Sequence, residues 1–162
     1  VSPSSFDTKQ VPVAFENVLL YIGMPIEEAI EKLKTNYFVN PVTDSSMYLV
    51  IQKKGFDSHA AGSLEYENGK LIKVTRNLGI GNTTVPDEVA LMFKSLVLRL
   101  LEYDQAGTPI CIVKKRYQEY EYNNAKHEDI VFSMNFGDYE VHIAVAGIDG
   151  EYQLYLDETI EK

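Results

Sequence analysis

The spacing of apolar positions changes along the chain, and each change predicts an element. In "IGMPIEEAIEKLKTNYF" (22–38), Ile26, Ala29, Ile30, Leu33 and Tyr37 share one helical stripe, with Glu31, Lys32 and Lys34 off it. Pro25 suits a first helical turn, where its missing N–H costs nothing. Glu27 and Glu28 complement the positive end of the helix dipole, and Gly23 allows a sharp exit from the apolar run before it. A longer helix is predicted over 86–104, with Thr84 as cap, Pro86 early and Asp87 closing the capping pattern. Its only interior polar positions are Lys94, Ser95, Arg99 and Glu102. Leu91 and Leu98 lie close to that polar strip, so the apolar arc is wider than one sheet face requires. This helix is expected to be buried on more than one side, or to meet a partner.

Strand patterns fill the remainder. "MYLVIQK" (47–53) suits a pleated surface, and "SLEYENGKLIKV" (63–74) reads as a hairpin. A two-residue Asn68-Gly69 turn would pair Tyr66 with Leu71. A three-residue loop over Glu67, Asn68 and Gly69 pairs Tyr66 with Lys70 and puts Leu64, Tyr66, Ile72 and Val74 on one face, so it is preferred. After the second helix, strands are predicted at about 109–122, 128–136, 139–147 and 150–157. A Gly137-Asp138 turn sets Phe136 opposite Tyr139, Met134 opposite Val141, Phe132 opposite Ile143 and Ile130 opposite Val145. Continuing through "GIDG" places Val145 beside Tyr152, Ile143 beside Leu154 and Val141 beside Leu156, all apolar. The other face then carries Ser133, His142 and Tyr155 in one row, Val131, Ala144 and Gln153 in the next, and Asn135, Glu140 and Asp157 beyond.

The expected architecture is α+β: an antiparallel sheet with two helices on one face, in the order α-βββ-α-ββββ. It forms a single domain over 16–162, or two fused repeats at 16–80 and 81–158, after a flexible N-terminal segment at 1–15. "SLEY" and "SMNF", each ahead of a hairpin, are the only internal likeness.

Composition narrows the function. A net charge of −9 disfavours nucleic acid and anionic membrane as partners. No apolar run reaches the roughly 18 residues of a membrane helix. The one cysteine, Cys111, excludes an intramolecular disulfide and a thiolate metal cluster, and between Ile110 and Ile112 it reads as a buried strand thiol. The Ser/Pro/Thr-rich opening resembles the linker that follows a cleaved targeting segment, and the expectation is an exported protein; an arbitrary chain start would look the same.

Candidate chemistry is sparse. "GIGN" (79–82) lacks the third glycine and the Gly-Lys-Ser/Thr of phosphate loops, and Asp87 and Glu88 would repel an anion, so a connecting loop is expected. "KKRYQEYEY" (114–122) mixes bases with carboxylates and reads as a charge-blunted edge strand. His127, Glu128 and Asp129 are consecutive, so they cannot all aim at one metal from a strand. Glu27, Glu28 and Glu31 read as a solvated helix face. Ser133 beside His142 suggests a nucleophile and base, yet both lie on flat strands with no oxyanion hole in prospect. No catalytic residue, metal or cofactor is assigned. The chain has eleven Tyr and no Trp. Tyr66 and Tyr152 are placed on the core side, while Tyr117, Tyr120 and Tyr122 cannot all face inward.

The helix opening "IGMPIEEAIEKL" followed by strands carrying "YENGKL" resembles the helix-plus-antiparallel-sheet repeat of beta-lactamase inhibitory proteins and a small outer-membrane assembly lipoprotein, over residues 20–77. Pro25 stands where that family usually has Ser or Thr, and one cysteine cannot form the inhibitors' two disulfides. The resemblance implies an exported binding protein without catalysis. The expected function is therefore a non-enzymatic binding or inhibitor-like module that contacts a protein partner through a sheet face, with Ser133, Asn135, His142, Gln153 and Tyr155 as binding residues. The alternative is a small ligand-binding protein or enzyme with a site between helix 86–104 and the sheet. That helix is also a candidate homo-oligomer contact.

Overall fold

The computed structural model describes residues 12–53, 60–106, 111–122 and 124–162. In chain order it holds β1 (Val13–Phe15), β2 (Val18–Leu20), α1 (Ile26–Leu33), β3 (Tyr37–Pro41), β4 (Met47–Gln52), β5 (Ala60–Glu67) and β6 (Lys70–Asn82). There follow α2 (Pro86–Ala106), β7 (Cys111–Tyr122), β8 (Ala125–Asn135), β9 (Glu140–Ile148) and β10 (Gln153–Glu161). The class is α+β with two helices and antiparallel strands. Contacts divide it into two compact units: residues up to 76 together with 160–162, and residues 77–159. The tail before Pro12 and the side chains of Cys111, Tyr117, Tyr120 and Tyr122 lie outside the described residues.

In the first unit the strands run β3-β4-β5-β6, with Ile26, Ala29 and Leu33 of α1 buried. Gly23 takes φ of 91°, as its place before the helix demands. The segment it starts is strapped to the hairpin: Gly23 N donates to Leu71 O at 2.7 Å, Leu71 N to Met24 O at 2.9 Å, and Ile26 N to Gly69 O at 3.0 Å. Two strand groups depart from the sequence expectation. β1, from the end of the expected tail at 1–15, pairs with β2 in a short hairpin that was not expected. Tyr37 opens β3 instead of ending the helical stripe. Its ring is buried edge-on against Phe15 at 5.8 Å, so its apolar spacing from Leu33 reports a shared core, not a shared helix.

The 63–74 hairpin corrects the preferred register. Glu67 pairs with Lys70 and Tyr66 with Leu71, leaving a two-residue turn in which Asn68 and Gly69 have φ of 51° and 73°. One step later Glu65 pairs with Lys73 and Leu64 with Val74, so Ile72 is the extra residue of a bulge. The bulge keeps Leu64 and Val74 on one face, as the longer loop was expected to do, but sets Leu71 there in place of Ile72. It brings Leu64, Leu71 and Val74 to zero exposure together, while Ile72 stays half-buried, and the Ile72 carbonyl accepts the Lys162 N–H at 2.9 Å. At Gly62 a Cβ would stand 2.0 Å from Thr75 O and 2.9 Å from the Phe15 ring. Only glycine lets Phe15 lie on the sheet there.

In the second unit, strands β10-β9-β8-β7 lie in that order, beside the 77–82 end of β6. The Gly137-Asp138 register is as expected: Met134 pairs with Val141, Phe132 with Ile143 and Ile130 with Val145, and Phe136 stacks on Tyr139 at 5.0 Å. β7 ends the strand order, in keeping with the edge reading of "KKRYQEYEY". "GIGN" is not a loop but the end of β6. Its glycines admit α2 closely: a Cβ on Gly81 would lie 3.3 Å from Glu88 O, and one on Gly79 would lie 3.7 Å from Met92. The helix starts at Pro86, as expected. Thr84 does not cap it: its hydroxyl donates to Asn82 Oδ1 at 2.7 Å, which also accepts Thr84 N at 2.9 Å, while Glu88 Oε2 reaches back to Asn82 N at 2.8 Å. Tyr152 precedes β10 and is 68% exposed, so it is not a core residue. Its carbonyl, not its ring, is used, accepting Thr83 N at 2.7 Å.

Candidate functional site

The five residues singled out by the sequence all belong to the second unit, on β8, β9 and β10. Alternation along antiparallel strands sends Ser133 and Asn135 of β8 to the same side as His142 and Glu140 of β9, because the pairs Ser133–His142 and Asn135–Glu140 face each other directly. Ser133 Oγ and His142 Nδ1 are hydrogen-bonded at 2.7 Å. His142 Nε2 lies 3.5 Å from Glu140 Oε2, and Asn135 Nδ2 donates to Glu140 Oε1 at 2.9 Å. The Asn135 amide oxygen accepts Gly137 N at 2.7 Å and so ties the row to the β8–β9 turn. On β10, Tyr155 OH donates to Gln153 Oε1 at 3.0 Å. Burial raises the Tyr155 phenol above its ordinary range, with the Glu151 and Asp157 carboxylates adding to the effect, so the hydroxyl stays a neutral donor.

Ser133, Asn135, His142 and Tyr155 are half-buried, and only Gln153 is exposed. Val131 and Asp129, further along the same side of β8, are buried. The face is less open than the strand pattern suggested. Lys126 and Glu128 of "KHEDI" form an ion pair at 3.3 Å, and alternation separates Glu128 from His127 and Asp129. Ser133 and His142 do make the contact of a nucleophile and base. They make it inside a flat ladder whose N–H groups are engaged in strand pairing, an arrangement without the convergent donors that acyl transfer needs.

Sequence reasoning missed a second constellation, under α2. Arg99 is 5% exposed and Glu158, on β10, is fully buried. The guanidinium binds Glu158 through Nε and through Nη2, the latter 3.2 Å from Oε1. Tyr103 OH donates to Glu158 Oε2 at 2.7 Å, and its ring lies under the guanidinium at 4.6 Å. Burial alone would make Arg99 a weaker base; the Glu158 carboxylate more than reverses this and holds the charge. Burial and Glu158 together push the Tyr103 phenol far above its usual range. The one available signal was Arg99 itself, a cation inside an apolar helix with a carboxylate one strand away in space and far off in sequence. Where the alternative reading put a pocket, between α2 and the strands, the ground at Arg99 is filled by this cluster.

No protein-family model matches the chain, and a comparison with curated proteins finds no match.

Proposed function

We propose that the chain is a non-enzymatic binding module whose β8–β9–β10 face contacts a protein partner. The observation that supports this reading is the pairing of its polar side chains: Ser133 with His142, Asn135 with Glu140, and Tyr155 with Gln153. Side chains already held in place lose little freedom on binding, which favours a protein surface over a flexible one of the same composition. Tyr155 supplies a rigid amphipathic ring of the kind that dominates interface energetics. Placement outside the cytoplasm belongs to the same proposal, supported by the likeness of residues 20–77 to exported inhibitors, and is tested by fractionating cells that make the protein. Self-association through α2 is compatible with this reading, because it uses other residues.

The experiment is capture on immobilised wild type and on a Tyr155→Ala/His142→Ala variant, read by quantitative mass spectrometry. A partner held by the wild type and weakened by ~1–3 kcal/mol for Tyr155→Ala alone is the expected result. Equal capture on both surfaces, with both proteins folded, overturns the assignment of this face.

A further inference from the structure

We propose that Asn68-Gly69 is a self-modifying site, at which Asn68 converts to aspartate and isoaspartate at a rate set by the backbone strap that ties the hairpin to α1. Residues 67–70 are exposed, and Asn68 and Gly69 are the two central residues of the turn. Among the described residues, no hydrogen bond engages the Asn68 side chain or the Gly69 N–H. A Cβ on Gly69 would meet nothing within 4 Å, so neither a side chain nor a neighbour shields that nitrogen. An unhindered nucleophile thus follows a free carboxamide, and both are in water.

Asparagine is chemically labile, and the reaction needs only water. The deprotonated Gly69 nitrogen attacks Asn68 Cγ and the new C–N bond closes a cyclic imide. The side-chain nitrogen takes up a proton and leaves as ammonia. Water then adds at either imide carbonyl, one C–N bond breaks, and the ring nitrogen regains its proton. One product is aspartate; the other is isoaspartate, in which the chain runs through Cβ.

The turn itself restrains this chemistry. With φ of 51° and 73° at its central residues, it is the mirror-image type that twisted hairpins favour. Such a turn points Gly69 N away from the Asn68 side chain, so the ring closes only after the turn opens. Three bonds oppose opening: Gly23 N to Leu71 O at 2.7 Å, Leu71 N to Met24 O at 2.9 Å, and Ile26 N to Gly69 O at 3.0 Å. The last also satisfies an N–H in the first turn of α1. Isoaspartate adds one backbone carbon between Asn68 Cα and Gly69 N. Glu67 and Lys70 are then no longer joined by a turn of ordinary length, and the Gly69 carbonyl is carried off Ile26 N–H. The strap therefore slows a reaction whose product undoes the strap.

The test holds the intact chain, shown folded by circular dichroism, at mildly alkaline pH. Peptide mass spectrometry locates the conversion, and ion exchange separates the products, which are one charge unit below −9. Conversion at Asn68 is expected, faster as pH rises and slower than in the same chain unfolded in urea. Gly23→Ala strains a φ of 91° and loosens the strap, so it should convert roughly fivefold faster or more. If that variant does not fold, wild type in urea below its unfolding midpoint takes its place. In the separated isoaspartate form, amide hydrogen exchange should quicken at Ile26 and Leu71. No conversion at Asn68 in the folded chain, equal rates folded and unfolded, a rate indifferent to the loosened strap, or unchanged exchange at Ile26 would each overturn the proposal.

Discussion

Asp157 shows how one residue's surroundings become a property of the whole protein. Burial holds its carboxyl above the ordinary 3.8; the Asn77 amide, donating at 3.0 Å, opposes the shift, and the Asp129 carboxylate adds to it. The folded protein therefore keeps this proton at a pH where the unfolded chain has lost it. Stability from this group is greatest below the unfolded value and declines as pH rises through the raised folded value. Asp157→Asn preserves an acceptor for Asn77 and removes the charge. The variant should have a higher urea midpoint than wild type at neutral pH, with the gap closing in acid; a lower midpoint at neutral pH would contradict this account.

Among the elements, α2 carries the clearest energetic prediction. Arg99→Leu leaves the Glu158 carboxylate buried without its cation and should cost about 3–5 kcal/mol, whereas Arg99→Leu with Glu158→Leu should recover most of the loss. Denaturant titration of the three proteins measures the difference. The same helix marks the boundary of what the sequence could tell. Its extent and its over-wide apolar arc were legible from periodicity, as was the Gly137-Asp138 register, where every cross-strand apolar pair agreed. Its rotation was not, because Glu158 stands far from Arg99 in sequence and a buried charge outweighs a hydrophobic stripe in deciding which side faces in. The 63–74 hairpin failed differently: a bulge at Ile72 and a longer turn both keep Leu64 and Val74 on the buried face, and periodicity does not decide whether Leu71 or Ile72 joins them. Of the candidate site, the side-by-side placement of Ser133, Asn135 and His142 followed from alternation alone. Their half-burial did not, since exposure depends on what neighbouring strands and turns cover.

At the scale of the molecule, the first unit is discontinuous in the chain: residues up to 76 are completed by 160–162. Ile160 is 2% exposed there, and Lys162 N–H reaches the Ile72 carbonyl in the hairpin bulge. Ile160→Ala should accordingly cost ~2–4 kcal/mol, and hydrogen exchange should quicken at Leu64, Leu71 and Val74 although they lie far upstream. Undisturbed protection at those amides would mean that the last residues are ornamental. The arrangement also bears on synthesis. A chain emerging from the ribosome can pair β5 with β6 early, yet its first unit stays unfinished until Ile160 has been made, after the whole of 77–159. Residues made early are thus sealed late, and a chain cut before Ile160 would leave that earlier part defective.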